Sequence, residues 1–171
     1  MYVRKYLADQ KTVGIAVAVV LLLVAALVLC VQYWPQKKAN LAMAYYSDDD
    51  GATWFVDSAF RVAPFEHNGK TAVMAEIYTY DDGSKRFCAY LAKYNSDTKR
   101  TLERAIADAQ AQGKGPNSVS LYNDHAFLNA GTLVKLPGAS NPWIGFNDSR
   151  AAPIFSIHSP DGTPVDEAFV Y

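Results

Sequence analysis

The chain has 171 residues, half of them hydrophobic, with 16 Lys and Arg against 17 Asp and Glu. That near-neutral balance, spread without a cationic block, excludes the clustered positive charge that phosphate neutralisation needs, so nucleic acid is not expected as a partner. Only two cysteines, Cys30 and Cys88, are present, which excludes a disulfide-stapled scaffold.

Residues 1–12 read as a short cationic tail carrying Arg4, Lys5 and Lys11. From Val13 to Val31 the sequence VGIAVAVVLLLVAALVLCV holds no charged side chain. At about 1.5 Å per residue, a helix of that length covers roughly 28 Å, close to the hydrocarbon thickness of a bilayer. A transmembrane helix is therefore expected over 13–34, with Tyr33 and Trp34 in the headgroup layer and Pro35 ending it. Lys37 and Lys38 follow, so three cations precede the span and two come after it, which places the amino terminus in the cytoplasm. A cleaved signal peptide fits less well, because Ala42-Met43-Ala44, the small-x-small site, lies too far downstream. Leu29 before Cys30 is not the small residue a lipoprotein needs, and no Gly-x-x-x-Gly marks a helix-pairing face.

Residues 35–40 form a short polar stalk, and 41–171 an extracytoplasmic domain. From residue 37 onward 13 Lys and Arg face 16 Asp and Glu, a balance of −3, and the wealth of Tyr and Phe favours strands. Leu41 to Tyr46 and Phe55-Val56 flank SDDDGATW, a hairpin signal. Ser47, Asp49, Gly51, Thr53 and Trp54 in the spacing Ser-x-Asp-x-Gly-x-Thr-Trp resemble the Asp-box of sialidase-type propellers and several unrelated folds. The resemblance covers about eight residues and implies a hairpin with no catalysis. The consecutive Asp48, Asp49 and Asp50 do not match an EF-hand loop, because Tyr46 and Asp57 stand where an oxygen ligand and a Glu are required.

Asn68-Gly69 predicts a second tight turn. Thr71 to Tyr80 and Lys85 to Tyr94 predict a long hairpin closed through Asp82-Gly83, apolar on both faces and therefore central. Leu102, Ala105, Ile106 and Ala109 at i, i+3, i+4 and i+7 predict an amphipathic helix over 96–112, capped by Ser96 or Asp97 and ended by Gly113. Further strands are expected at Val119 to Tyr122, Thr132 to Leu136, Pro153 to His158 and Ala168 to Tyr171. The fold class is α+β: one amino-terminal transmembrane helix, then a mainly antiparallel sheet of five to seven strands with one amphipathic helix. Tyr45-Tyr46, Thr53-Trp54-Phe55, Pro64-Phe65, His67-Asn68-Gly69-Lys70 and Pro160-Asp161-Gly162 together resemble a group of small membrane-anchored proteins of planctomycete-type bacteria, a likeness that implies no activity.

No nucleophile elbow, phosphate-binding Gly-rich loop, His-Glu-x-x-His or Cys-x-x-Cys is present. Cys88 is expected to be buried and inert, the alternative being an intermolecular bond. His67, His125 and His158 are far apart in sequence, and Asp124-His125, Asp81-Asp82 and Asp166-Glu167 read as solvated turns. No catalytic residue, metal or cofactor is expected. The leading expectation is a single-pass, non-catalytic interaction or accessory subunit of a membrane or envelope assembly. It would hold the bilayer through 13–34 and a protein partner or further copies of itself through the domain. A pilin or pseudopilin-like filament subunit is one alternative. The other is a ligand-binding or hydrolytic domain gathering Asp124, His125 and His158.

Overall fold

The computed structural model describes residues 21, 22, 24, 25 and 42–170. Its contacts divide the chain into two units, Met1–Lys38 and Ala39–Tyr171. Of the first unit, Leu21, Leu22, Val24 and Ala25 are described; they are helical, and Leu21, Leu22 and Val24 are exposed. Among the described residues no helix is long and apolar enough to cross a membrane. The expected span, its flanking Tyr33 and Trp34, the tail, the stalk and Cys30 otherwise lie outside them.

The second unit is an antiparallel sheet with a few helices. β1 (Met43–Ser47) and β2 (Phe55–Ser58) form the first hairpin, with Tyr46 opposite Phe55. β3 (Phe65–His67) turns into β4 (Lys70–Tyr80) through Asn68 and Gly69, both at positive φ, the backbone that a two-residue hairpin turn demands. β4 pairs with β5 (Lys85–Tyr94) after a turn in which Asp81, Asp82 and Gly83 all take positive φ. β6 (Thr132–Lys135), β7 (Ile144–Gly145) and β8 (Asp166–Glu167) complete eight strands among the described residues, one more than the upper expectation. The order is β2-β1-β4-β5-β6-β7, with β3 and β8 added on β4, and every pairing is antiparallel.

Period-2 alternation gives this sheet two packed faces. Val73, Ala75, Ile77 and Leu91 form one core, with Trp54, Trp143 and Cys88 against it. Ala92, Val134, Ala151 and Ile154 form the other, joined by Met74, Tyr90, Phe146 and Phe155. Fully buried Ile77 and Leu91 each contribute about 2 kcal/mol through lost apolar exposure.

α1 (Ser96–Ala111) buries Leu102 and Ala109 with Thr98, on the face its apolar stripe predicts. Asn95 caps it rather than Ser96 or Asp97, its side chain accepting the Asp97 and Thr98 amides. Asn95 is extended and so can turn its side chain onto the first free N–H groups, which a helical Ser96 cannot do. Gly113 ends it at positive φ, with the Gly113 and Lys114 amides reaching back to Gln110 and Ala109. An unexpected second helix, α2 (His125–Gly131), meets α1 so closely that a Cβ on Gly131 would lie 1.9 Å from the Thr98 hydroxyl. Only glycine fits there.

Three expected strands are corrected. Val119 to Tyr122 enters a 3₁₀ turn, Ser120–Asn123, that follows another begun by Pro116. Pro153 to His158 overlaps a 3₁₀ segment, Ser149–Phe155: Asp148 caps it, and Ala151 and Ile154 turn inward three residues apart, a helical period. The last strand sits two residues earlier than Ala168, at Asp166–Glu167.

Candidate functional site

β4 is the strand around which the site is built. β5 occupies one of its edges from Met74 to Tyr80. On the opposite edge β1 pairs only at Val73 and Met74, because it then bends away to stay with β2. β8 pairs at Tyr78 and Thr79, and the Ala168 amide donates to the Ile77 carbonyl at 2.8 Å. Between these two partners the edge from Ala75 to Ile77 opens into a slot of about 210 Å³. Met43, Met74, Ile77 and Phe169 give it apolar walls, and Glu76 and Glu167 are the charged residues on them. A bulge falls at the same point, where Glu76 faces Tyr90 and Ile77 faces Cys88, leaving Ala89 as the extra residue.

Glu76 is part-buried and makes no hydrogen bond or ion pair with any described residue. Burial, and then the neighbouring Glu167 carboxylate, push its carboxyl up to about 7 from an ordinary 4.5. A carboxyl left without a cation or donor in such surroundings holds its proton, because charging it there costs free energy that water would otherwise return. Its field reaches Tyr90, Tyr78, Tyr94 and Cys88, although burial is the larger cause of the raised values of all four. The Cys88 thiol is pushed up to about 12, so at neutral pH it is no nucleophile. The Tyr45 hydroxyl at the rim accepts from Arg86 at 3.1 Å and contacts the Phe169 carbonyl at 3.5 Å.

The acidic turn behaves differently. The Asp49 carboxylate accepts the Thr53 amide at 2.9 Å and the Thr53 hydroxyl at 2.6 Å, and Ser47 donates to it at 2.8 Å. The Thr53 hydroxyl is the main reason its carboxyl lies below the ordinary range. Asp48 meets His67 at 2.7 Å, and the imidazole stacks on Phe55. Asp50, at φ +59°, pairs with the buried ammonium of Lys135, which also donates to the Gly138 carbonyl at 3.2 Å. Lys135 and Lys93 both lie over the Trp143 ring. Gly51 has φ +88°, and a Cβ there would come within 3.0 Å of Pro137. Trp54 packs on the core behind it. Three consecutive aspartates thus go to three different partners.

The remaining candidates are scattered. Asp124 caps α2 by accepting the Phe127 amide, and His158 pairs with Ser156 at 3.2 Å. Among the described residues no hydrogen bond or ion pair joins Asp124, His125 and His158, and no group of three or more His, Cys, Asp and Glu comes together to hold a metal ion. Asp81 pairs with Lys85 at 3.2 Å across the turn that contains Asp82 and Gly83. Sequence reasoning missed Glu76 and Lys135. The signal for Glu76 was present: it is the one charged residue within TAVMAEIYTY, a stretch otherwise suited to a two-faced core strand.

No family model matches this chain, and no curated protein or solved structure matches it.

Proposed function

We propose that the protein is a single-pass, non-catalytic interaction or accessory subunit of a membrane or envelope assembly, presenting its α+β domain outside the cytoplasm. The observation that supports this reading is the uncharged run from Val13 to Val31, flanked by aromatic residues and followed within a few residues by the compact unit that begins at Ala39. An anchor so close to a folded domain keeps that domain at the bilayer surface, where its partners are other membrane components. The sheet edge left open between β1 and β8 supports an interaction role, since an uncovered strand edge is a place where binding is favourable.

The test is fractionation of the full chain. It is expected to sediment with membranes, to resist alkaline carbonate, and to leave in mild detergent as an oligomer or with a partner. Its domain should be cut by protease added from outside the cytoplasm. Release by carbonate, or a strictly monomeric detergent extract that carries nothing with it, contradicts the reading. An amino-terminal peptide beginning at Met1 in mass spectrometry counts against the pilin-like alternative, which requires processing.

A further inference from the structure

We propose that the slot between β1 and β8 binds a small alkylammonium group, with Glu76 as its part-buried counter-charge and Glu167 at the rim. This goes beyond the anchor reading and stands whether or not residues 13–34 span a bilayer.

The chemistry of the walls selects the ligand. An anion meets two carboxylates and, among the described residues, no Lys, Arg or His on the lining. A neutral alcohol can give Glu76 one hydrogen bond but brings no counter-charge to its carboxylate. A divalent metal ion wants six or more oxygens, and apolar walls around two carboxylates do not provide them. An ammonium on a short aliphatic stem satisfies both parts. Its methylenes lie against Met43, Met74, Ile77 and Phe169, and one of its three N–H donors reaches Glu76. Strand alternation turns the Ala75 carbonyl to the same side of β4 as that of Ile77, which accepts the Ala168 amide, and so adds an acceptor for a second donor. The volume, about 210 Å³, is below that of drug-sized sites at roughly 300–1,000 Å³ and suits a ligand of only several heavy atoms.

Protonation of Glu76 competes with this ligand. The charged group that acts on it is Glu167 from β8; Tyr78 on its own strand and Tyr90, Cys88 and Tyr94 on β5 lie within reach of its field, and Arg86 is held on the Tyr45 hydroxyl. Since its carboxyl titrates near 7, affinity should be highest above pH 8 and fall about tenfold per unit well below 7.

The experiment is an NMR titration of the full chain in detergent micelles with n-butylammonium, using 1-butanol and n-butyrate as the neutral and anionic counterparts. The expected result is saturable binding at pH 8 with shifts centred on Ala75, Glu76 and Ala168, at least about tenfold tighter than either counterpart. E76Q should lose about tenfold or more while keeping its fold, verified by an unchanged spectrum away from the slot, and E167Q should lose about two- to threefold. Acetyl-lysine methylamide separates the sources of the group: binding equal to that of n-butylammonium points to a lysine side chain of a partner, weaker binding to a free amine, and both sustain the proposal. Equal binding by 1-butanol, undiminished binding by E76Q, or displacement of n-butylammonium by calcium chloride overturns it.

Discussion

The Asp48–Asp50 turn and the Glu76 slot are both acidic, lie at either end of β1, and treat their carboxylates in opposite ways. In the turn each carboxylate has a named partner: His67, Thr53 or Lys135. In the slot, Glu76 has none among the described residues, and the second carboxylate beside it makes charging harder. Partnered acids of this kind hold a hairpin in place and leave nothing for a ligand to complete. A part-buried acid without a partner lowers the stability of its own fold above its titration midpoint, and a ligand that pairs with it would restore that stability.

The sharpest break of this contrast is expected at Lys135. Asp50→Asn keeps a residue that tolerates positive φ but leaves the buried ammonium without its counter-charge. Removing one partner of a fully buried pair costs about 3–5 kcal/mol, and because half of the Asp50 side chain stays in water the low end, about 3 kcal/mol, is the loss expected in denaturant unfolding at pH 7.

Glu76→Gln should do the reverse. Its folded-state pKa, near 7, lies above the unfolded value of 4.5, so the folded state holds the extra proton between those limits. The stability this provides is fully present below pH 4.5 and is lost as pH rises through 7. The difference of about 2.5 units corresponds to about 3 kcal/mol, so E76Q should be more stable than the wild type by about that amount at pH 8 and nearly equal to it at pH 4.5. Parallel pH series of urea melts test this. A wild-type and E76Q difference that stays flat with pH contradicts it.

Smaller effects refine the picture. Thr53→Val removes the hydroxyl that holds Asp49 and should cost about 1–2 kcal/mol, read in the same melts. Glu167→Gln removes only the secondary cause of the Glu76 shift, so the Glu76 midpoint should fall by a fraction of a unit and remain above the ordinary range, measured by carboxyl ¹³C shifts.

How much of this was legible depended on how far each element's signal lay within its own residues. The meander from β1 to β5 could be read because its strands alternate and its turns carry Asp-Gly, Asn-Gly and Asp-Asp-Gly at the positions that take positive φ. The stripe from Leu102 to Ala109 gave α1 in the same way. Beyond Gly113 only β6 was read, expected over Thr132 to Leu136 and found at Thr132–Lys135. Val119-Ser120-Leu121-Tyr122 has strand-forming residues, but its backbone follows the 3₁₀ turn started at Pro116, and Val119 is buried by tertiary packing. Ile144-Gly145 and Asp166-Glu167 are two-residue strands, too short to show any period, and exist because β6 and β4 offer them an edge.

The candidate site was legible in one residue and hidden in the rest. A lone Glu within a core strand is a local anomaly that a sequence shows. Its having no partner depends on where Lys and Arg side chains end up, and the slot depends on β1 leaving β4 after Met74, while β8 arrives from ninety residues away. Asp166-Glu167 reads as a solvated turn until β8 places Glu167 beside Glu76.

The most direct measurement is the ¹³C titration of the Glu76 carboxyl in the full chain without added ligand. A midpoint near pH 7 that moves down when n-butylammonium is added is the predicted result. A midpoint in the ordinary carboxylate range near 4.5, unmoved by the amine, would mean that Glu76 already has its partner and that the slot is only a seam between strands.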